Sequence, residues 1–332
     1  MRYKTFGSTG LKASQVGVGT LQFPKLTPKE AADTLSYAIE QGINYIDTAK
    51  TYGDSETKIA PVIQGRRDQM IISTKTNKRD YQQAKNEIVD SLKKLNTDYL
   101  DIVHVHYVNR DEEFTQVMSE QGAMKAILEM KEAGYVRYIA ISGHRPDKLA
   151  EWVTQFPFDS VLFHLNICQP FAATDIIPVA KGLNIGTVAM RPLAGGFIQP
   201  QHLRYLLTQP VDVIIPGFMN RHEIDENLKI LSEPVLQEEA DYLLQMAQRA
   251  GQHGCRRCNA CECPKGIKIT DAIIPMYYLG NLQPPYNQGN ELWRSRQGKV
   301  STCNDCDDCQ EQPICESVCP YGVDISKTIR SI

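Results

Sequence analysis

The feature that most constrains the fold is a regular alternation of short apolar segments with amphipathic ones over residues 15–231. Each apolar segment has the length of a β-strand, and each is followed by apolar residues at helical spacing. This pattern predicts eight strand–helix units. The strands are expected at residues 15–19, 43–47, 70–75, 99–106, 137–142, 160–164, 185–189 and 211–215.

The number of units favours a closed barrel over an open sheet. Short, continuously apolar strands are typical of parallel sheets buried on both faces. An open doubly wound sheet would also alternate, but eight units in about 230 residues suit a (β/α)8 TIM barrel better. We therefore expect an α/β chain with a barrel at residues 1–250, which begins with a hairpin over residues 1–14, and a small C-terminal domain at residues 251–332. Thr27 and Glu30 have the spacing of a capping box that begins the first barrel helix.

Composition and charge exclude several classes of function. The chain has 332 residues, of which 42% are hydrophobic and 23% charged, and its net charge is −3. These values are ordinary for a globular protein, and they lack the positive balance of a nucleic-acid-binding chain. The sequence has no apolar run of the length of a membrane helix, and its first residues lack the apolar core of a signal peptide. We therefore expect a cytoplasmic protein without nucleic-acid or membrane partners.

Polar side chains follow three of the predicted strands. Asp47 ends the second strand and Tyr52 comes five residues later, while Lys75 ends the third strand and His106 the fourth. Loops at the C-terminal face build the active site of such barrels, so three strand ends can bring these side chains together. His104 lies on the same strand face as His106, and we predict that it fills the barrel interior.

These residue types suit the reduction of a carbonyl group. The developing alkoxide needs a proton donor, and free tyrosine, with a pKa near ~10, donates poorly at neutral pH. A neighbouring lysine ammonium lowers that pKa, an aspartate can hold the lysine, and a histidine can orient the substrate oxygen. Structural alternatives exist: Lys75 and Asp47 could form a solvated pair on the barrel rim, and a lone histidine is more often structural than catalytic.

Several segments resemble the signatures of aldo-keto reductases. They are residues 3–11, 43–53, 73–75, 98–106 and 134–143, and the resemblance extends over about residues 1–232. It implies the eightfold barrel and NADPH or NADH bound across the barrel mouth. It also implies that Tyr52 is the general acid/base, that Lys75 tunes it, that Asp47 holds Lys75, and that His106 orients the carbonyl.

The chain departs from the family pattern where the nucleotide binds. Met190 stands where a tyrosine usually stacks on the nicotinamide, and Leu162 where a glutamine usually binds the carboxamide. Gly143 replaces the asparagine that usually follows Ser142. The lysine and arginine that usually grip the 2′-phosphate align with Gly217 and Glu223.

Ser142, Glu226 and Asn227 match the residues that the family usually has at these nucleotide-binding positions. Arg191 or Arg221 could supply a phosphate contact. The resemblance therefore leaves open whether NADPH or NADH is the cofactor. The candidate cofactor-binding residues are Thr20, Ser142, Met190, Arg191, Gly217, Arg221, Glu226 and Asn227.

Nine of the ten cysteines fall between residues 255 and 319. Clustered thiols in a chain expected in the cytosol indicate metal rather than disulfides. The first group, C-x2-C-x2-C-x-C-P, contains Cys255, Cys258, Cys261 and Cys263. The second group, C-x2-C-x8-C-x3-C-P, contains Cys303, Cys306, Cys315 and Cys319, with Cys309 inside the x8 gap.

Both groups resemble the ligand runs of bacterial ferredoxins with two 4Fe–4S clusters, in which the last cysteine of each run ligates the other cluster. The resemblance implies one cluster on Cys255, Cys258, Cys261 and Cys319, and a second on Cys303, Cys306, Cys315 and Cys263. Cys309 is an alternative ligand to Cys315. Zinc is the alternative metal, because C-x2-C pairs also bind zinc. A ferredoxin-like domain of about 80 residues has little core, so cluster binding would contribute to its folding, and a purely structural role is open.

The sequence thus predicts a nicotinamide-dependent carbonyl oxidoreductase with two auxiliary or electron-relaying 4Fe–4S clusters. One alternative is an electron-transfer enzyme whose clusters feed single electrons from a redox partner protein to the barrel site. Another is a non-catalytic redox sensor. The presence of all four candidate catalytic side chains, Asp47, Tyr52, Lys75 and His106, argues against this alternative. The substrate is a small carbonyl compound whose pocket has Phe23, Tyr52, Tyr107 and Cys168 as candidate residues.

Overall fold

A computed structural model describes residues 1–252, 254–261, 263, 266–267, 269–270, 273 and 313–326. The chain divides into two compact units. Unit 1 comprises Met1–Leu165, Ala172–Pro192 and Gln209–Pro234, and unit 2 comprises Asn166–Phe171, Leu193–Thr208 and Val235–Ile332. Two segments that follow barrel strands therefore group with the C-terminal residues. The predicted domain boundary after residue 250 stays a prediction.

Unit 1 is built on eight parallel strands, as the alternation predicts. A hairpin of β1 (Tyr3–Thr5) and β2 (Lys12–Ser14) precedes them. Each strand of the sheet then pairs with the next one along the chain. They are β3 (Val18–Gly19), β4 (Tyr45–Asp47), β5 (Ile71–Thr76), β6 (Leu100–Val105), β7 (Val136–Gly143), β8 (Ser160–His164), β9 (Gly186–Met190) and β10 (Val213–Ile215).

The sheet closes because its last strand also meets its first. Val16 bridges Ile214, Gly19 bridges Gly217, and the Gly17 amide donates to the Ile214 carbonyl at 2.8 Å. A Cβ atom on Gly19 would lie 3.1 Å from the Ile215 carbonyl oxygen, so the glycine permits the close approach. The fold is therefore a (β/α)8 barrel, and the expectation of closure is confirmed.

The helices lie largely where the apolar spacing predicts. They are α1 (Pro28–Glu40), α2 (Ser55–Ile63), α3 (Tyr81–Leu95), α4 (Asp111–Met118), α5 (Ala123–Glu132), α6 (Pro146–Trp152), α7 (Ile176–Gly182), α8 (Arg204–Leu207), α9 (Arg221–Ser232) and α10 (Gln237–Gly251). Of these, α8 and α10 belong to unit 2. The predicted capping box is confirmed, because Thr27 and Glu30 each accept a hydrogen bond from the other's backbone amide. Within the described ranges, no helix combines the length and the apolarity needed to cross a membrane.

The barrel interior changes from apolar to polar along the strands. A buried cluster that includes Tyr45, Ile71 and Ile102 fills the end where the strands begin, and Phe6 from the hairpin packs into it. Because inward positions recur every second residue, the next inward side chains along these strands are Asp47, Ser73 and Lys75, and His104. The polar layer at the C-terminal strand ends is where the candidate site lies.

Candidate functional site

A buried ion pair lies at the C-terminal ends of β4 and β5. The Lys75 ammonium donates to Oδ2 of Asp47 at 2.6 Å and to the Thr48 carbonyl at 2.6 Å. The Ser73 hydroxyl donates to the other Asp47 oxygen at 3.2 Å. Asp47 is 2% exposed and Lys75 is 1% exposed, so the pair is in the interior and not on a solvated rim.

Tyr52 lies next to Lys75, in the loop between β4 and α2. The Lys75 Nζ atom is 5.0 Å from the centroid of the Tyr52 ring, and Tyr52 is partly exposed. The Tyr52 amide donates to the Ala49 carbonyl at 3.0 Å, and Gly53 continues the turn with a φ of +55° that favours glycine. The short loop thus holds the phenol between the buried ammonium and solvent.

The electrostatics keep the proton on Tyr52 and the charge on Lys75. Burial raises the pKa of Tyr52, and the opposing effects of Lys75 and Arg191 do not cancel it. Lys75 lowers this pKa, as expected from its charge, but the desolvation of the phenolate exceeds its attraction to the ammonium. Burial by itself lowers the pKa of Lys75, but its charge interactions with Asp47 and Tyr52 raise the pKa above the ordinary value.

His104 within β6 and His106 directly after it differ in burial. The His106 ring is partly exposed and meets the Tyr52 ring edge to face, with centroids 6.1 Å apart and planes at 77°. Burial, followed by the charges of Lys75 and Arg79, lowers the pKa of His106 to about 3, so this imidazole is neutral. His104 is fully buried with Nε2 3.0 Å from the Ser73 hydroxyl, and it fills the interior as predicted.

The hydroxyls predicted to contact the nucleotide are engaged within the barrel. Thr20 is fully buried and donates to the Asp47 carbonyl at 2.9 Å. The Ser142 hydroxyl donates to the Val105 carbonyl at 3.3 Å and accepts from the Tyr107 amide at 3.2 Å. Both residues thereby tie neighbouring strand ends together.

Met190 is the last residue of β9, and Arg191 follows it. Met190 is partly exposed and is in register with His164 on one side and Ile215 on the other. Arg191 is exposed and has a φ of +52°, a backbone conformation that costs energy for a residue other than glycine and is concentrated at functional sites. Its charge acts on Tyr52, so it belongs to the electrostatic surroundings of the candidate site.

The remaining nucleotide candidates lie after β10. Gly217 is exposed, whereas Arg221, Glu226 and Asn227 are all on α9. The Arg221 guanidinium lies 4.9 Å from the centroid of the Tyr37 ring. Glu223, which stands where the family has a phosphate-binding arginine, accepts a hydrogen bond from the Met219 amide at 2.8 Å. Its carboxylate therefore serves the first turn of its own helix.

Two histidines near the strand ends were not singled out from the sequence. His144 follows β7 and His164 ends β8, and their rings are in contact with centroids 4.0 Å apart and planes at 34°. Tyr107 packs edge to face on His144 at 4.5 Å, is 47% exposed, and has a φ of +57°. The signal that could have found His164 is its position two residues after the inward-facing Leu162. Of the other pocket candidates, Phe23 and Cys168 are fully buried, and burial raises the pKa of Cys168 to about 12, as for a packed thiol.

In unit 2, four cysteines line one cavity. They are Cys255, Cys258, Cys261 and Cys319, the four that the ferredoxin resemblance assigns to one cluster. Four thiols around one cavity form the donor set of a 4Fe–4S cluster, in which each thiolate binds a different iron. Among the described side chains, no three His, Cys, Asp or Glu groups converge closely enough to share a single metal ion.

The four cysteines of the cavity affect one another's ionisation. Burial raises the pKa of Cys261 to about 12, and the thiols of Cys319, Cys258 and Cys255 add to the effect. A cationic metal centre would offset this cost, because metal binding deprotonates its thiol ligands. For the second predicted cluster, Cys263 and Cys315 are described, whereas Cys303 and Cys306 lie outside the described residues, as does the alternative ligand Cys309.

The closed barrel and its buried acid–lysine pair beneath a tyrosine define a barrel enzyme, and comparison with known proteins places it among the oxidoreductases. The model of the aldo/keto reductase family matches residues 15–203. The uncharacterized oxidoreductase YqkF of Bacillus subtilis is 30% identical over 217 residues, which are 61% of this chain and 68% of that protein. L-galactose dehydrogenase of Arabidopsis thaliana is 29% identical over 220 residues, which are 60% and 67% of the two chains.

A solved structure shows the same fold. The aldo-keto reductase AKR11C1 from Bacillus halodurans superposes with a TM-score of 0.64 at 21% identity, over 74% of this chain and 96% of that one.

A further relative by sequence is the aldo-keto reductase YhdN of Bacillus subtilis, which is 29% identical over 60% of this chain and 64% of that protein. The chain belongs to the aldo/keto reductase family. The family match ends at residue 203, before the cysteine groups.

Proposed function

We propose that this oxidoreductase reduces a small carbonyl compound with Tyr52 as the general acid, and that its cysteine-rich segment carries two 4Fe–4S clusters. The observation that supports the catalytic part is the buried contact of Lys75 with Asp47 beside Tyr52. A fully buried ammonium that keeps its charge is an expensive feature for a stable barrel, and such features concentrate at functional sites.

The four side chains have distinct tasks. NADPH or NADH, when bound, would supply the hydride for the carbonyl carbon. The Tyr52 hydroxyl donates its proton to the carbonyl oxygen, so the product is an alcohol and a tyrosinate remains. The Lys75 ammonium stabilises that tyrosinate, and Asp47 keeps Lys75 charged and oriented.

His106 orients the substrate and does not supply the proton. With a pKa of about 3 the ring is neutral, so it has one N–H donor and one acceptor nitrogen. Its ring meets the Tyr52 ring edge to face, and a substrate oxygen beside both side chains would accept a hydrogen bond from each. A neutral imidazole donor polarises the carbonyl without competing as an acid.

The nucleotide contacts fit the family pattern in part. Arg191, which follows β9, and Arg221, at the start of α9, are candidate cations for phosphate groups, and Glu226 and Asn227 are on the same helix as Arg221. The 2′-phosphate grip of the family is replaced by Gly217 and Glu223. This chain therefore binds NADPH weakly and without a strong preference over NADH, unless Arg191 or Arg221 compensates.

A kinetic experiment tests the catalytic part. Aldehydes and ketones are offered to the purified protein with NADPH or NADH, and nucleotide oxidation is followed for the unmodified chain and for Tyr52→Phe. Reduction by the unmodified chain and its loss in the variant are expected. Undiminished reduction by a folded Tyr52→Phe protein contradicts the assignment.

The cluster part rests on the cysteine cavity. Cys255, Cys258, Cys261 and Cys319 would hold one cluster, and Cys303, Cys306, Cys315 and Cys263 the other. Iron, acid-labile sulfide and the absorption spectrum of anaerobically purified protein test this proposal. Zinc in place of iron after anaerobic preparation contradicts it.

A second candidate function is an electron-transfer enzyme, in which a redox partner protein supplies single electrons through the clusters. The substitution of Met190 and Leu162 at positions that usually hold the nicotinamide favours it. Substrate turnover with a one-electron donor and without nucleotide would select this candidate. Cluster signals that stay unchanged during nucleotide-driven turnover would exclude it. The cytoplasmic location stays a prediction.

A further inference from the structure

The turn between Cys255 and Cys258 consists of two arginines, and the first is fixed between aromatic rings. Arg256 lines the cavity together with the four cysteines. Its guanidinium carbon lies 4.5 Å from the centroid of the Phe171 ring and 5.2 Å from that of Tyr321, which also lines the cavity. The two rings hold the cation in place, so its position needs little reorganisation when the charge nearby changes.

The second arginine contacts a cysteine through its backbone. Arg257 has a φ of +59°, and its amide donates to the Cys255 sulfur at 3.4 Å. One terminal nitrogen of its guanidinium donates to the side-chain oxygen of Gln169 at 3.4 Å, and Gln169 is 4% exposed. The buried Nε atom of Arg257 has no hydrogen-bond partner among the described residues. The charge is therefore partly desolvated and incompletely paired.

The described residues that line the cavity supply positive charge and no negative charge. Its lining includes Arg256 and no carboxylate. Glu316, on the short helix Ile314–Ser317 beside Cys319, accepts hydrogen bonds from the amide and the hydroxyl of Ser326 at 2.6 Å each. Its carboxylate is thus committed to its own segment.

We propose that Arg256 and Arg257 tune the site formed by Cys255, Cys258, Cys261 and Cys319 so that a cluster held there is more easily reduced. This inference rests on the proposed 4Fe–4S content. Reduction adds one electron and therefore one negative charge, with no bond made or broken. Hydrogen bonds to ligand sulfurs and nearby fixed charge are the levers by which proteins set cluster potentials. The Arg257 amide and the two guanidinium groups all act in the direction that stabilises the added charge.

The test is a potentiometric titration of the full-length, anaerobically purified protein, followed by electron paramagnetic resonance. Arg257→Gln removes the charge and retains both the amide and a side chain of similar reach. At the midpoint potential of the unmodified protein, we expect the ratio of reduced to oxidised cluster to fall about tenfold, which corresponds to about 59 mV for a one-electron couple. Arg257→Lys keeps the positive charge, so its midpoint potential should stay close to that of the unmodified protein. Arg249→Gln, at an exposed position of α10, should leave the midpoint unchanged.

The outcomes separate this inference from the proposed function. A full complement of iron in Arg257→Gln with an unchanged midpoint overturns the tuning role and leaves the cluster assignment intact. Loss of iron from that variant also overturns it, because Arg257 would then serve assembly. An unmodified protein that binds no iron overturns the inference together with the cluster part of the proposed function.

Discussion

The Nζ atom of Lys75 lies 2.6 Å from Oδ2 of Asp47, and the two residues come from adjacent strands whose register is fixed by the barrel. Asp47 pairs with Ser73 across β4 and β5, so Lys75 extends one inward step beyond its partner. Strand register, not loop conformation, therefore sets the geometry of this ion pair. Rigid support of this kind preorganises an electrostatic site.

Removal of one partner of this pair should be more costly than removal of both. Lys75→Met leaves the Asp47 carboxylate buried without its counter-charge, which typically costs about 3–5 kcal/mol of unfolding free energy. The double variant Asp47→Asn, Lys75→Met should recover a large part of that stability and none of the activity. Thermal unfolding of the single and double variants measures the coupling. Equal and additive losses would show that the two charges do not stabilise each other.

Loss of the Tyr52 hydroxyl should abolish proton donation and leave the barrel folded. General acid catalysis usually contributes about 10²–10⁴-fold, so Tyr52→Phe should lower kcat by at least that range. Nucleotide affinity should be unchanged, since the variant alters one atom at a partly exposed position. Tyr242→Phe on α10, whose side chain is 62% exposed, is the matched control and should be fully active.

The neutral His106 predicts a pH dependence of stability. The folded-state pKa, about 3, is below the ordinary value of 6.5, so the unfolded chain binds a proton in this window that the folded chain does not. Stability is therefore present above pH 6.5 and falls as the pH decreases toward 3, by about 1.4 kcal/mol per pH unit for each such proton. His106→Asn should flatten this slope between pH 7 and pH 5, whereas His222→Asn at an exposed position should not. Denaturant unfolding at several pH values checks both.

The cysteine cavity predicts which thiols matter for iron. The unmodified protein should contain about eight iron atoms per chain, and Cys319→Ala should lose about four of them. Cys168→Ala, which changes a fully buried thiol, is the control and should retain all. Cys263→Ala should affect the cluster of Cys303, Cys306 and Cys315, and Cys309→Ala should leave both clusters. Iron loss in Cys309→Ala without loss in Cys315→Ala would reverse that ligand choice.

Nucleotide affinity should be low and nearly indifferent to the 2′-phosphate. Loss of a charge-assisted phosphate contact typically costs about 1.5–3 kcal/mol, or roughly ten- to a hundredfold in affinity. Arg191→Ala and Arg221→Ala, each titrated with NADPH and NADH by calorimetry, identify any compensating contact. Tight NADPH binding that is lost in one of these variants would show that the arginine has replaced the family's phosphate grip.

The sequence predicts the barrel, and the position of the four candidate side chains at strand ends, because both depend on local periodicity. Apolar runs mark the strands, and polar residues directly after them mark the strand ends, as for Asp47 and Lys75. The helix α4 was not predicted because it buries only Phe114 and Val117, which is too few apolar residues for a periodic signal. The helix expected after β9 is instead a 3-10 turn, Pro200–Leu203, followed by the short α8.

Properties that depend on how deeply a side chain is buried could not be obtained from the sequence. The net pKa direction of Tyr52 follows from how completely the barrel desolvates the phenol, and residue order does not contain that information. The contact between the His144 and His164 rings likewise depends on how two adjacent strand ends approach each other. The fixation of Arg256 between Phe171 and Tyr321 joins residues from three separate segments.

The N-terminal hairpin closes the end of the barrel at which the strands begin. Phe6 is fully buried against the first residues of the strands, and a Cβ atom on Gly186 would lie 2.7 Å from its ring, so no larger residue fits there. We therefore expect the buried Lys75 to exchange protons with solvent at the opposite end, near Tyr52 and His106. In the proposed reaction, the tyrosinate left on Tyr52 would regain its proton from solvent at that same end.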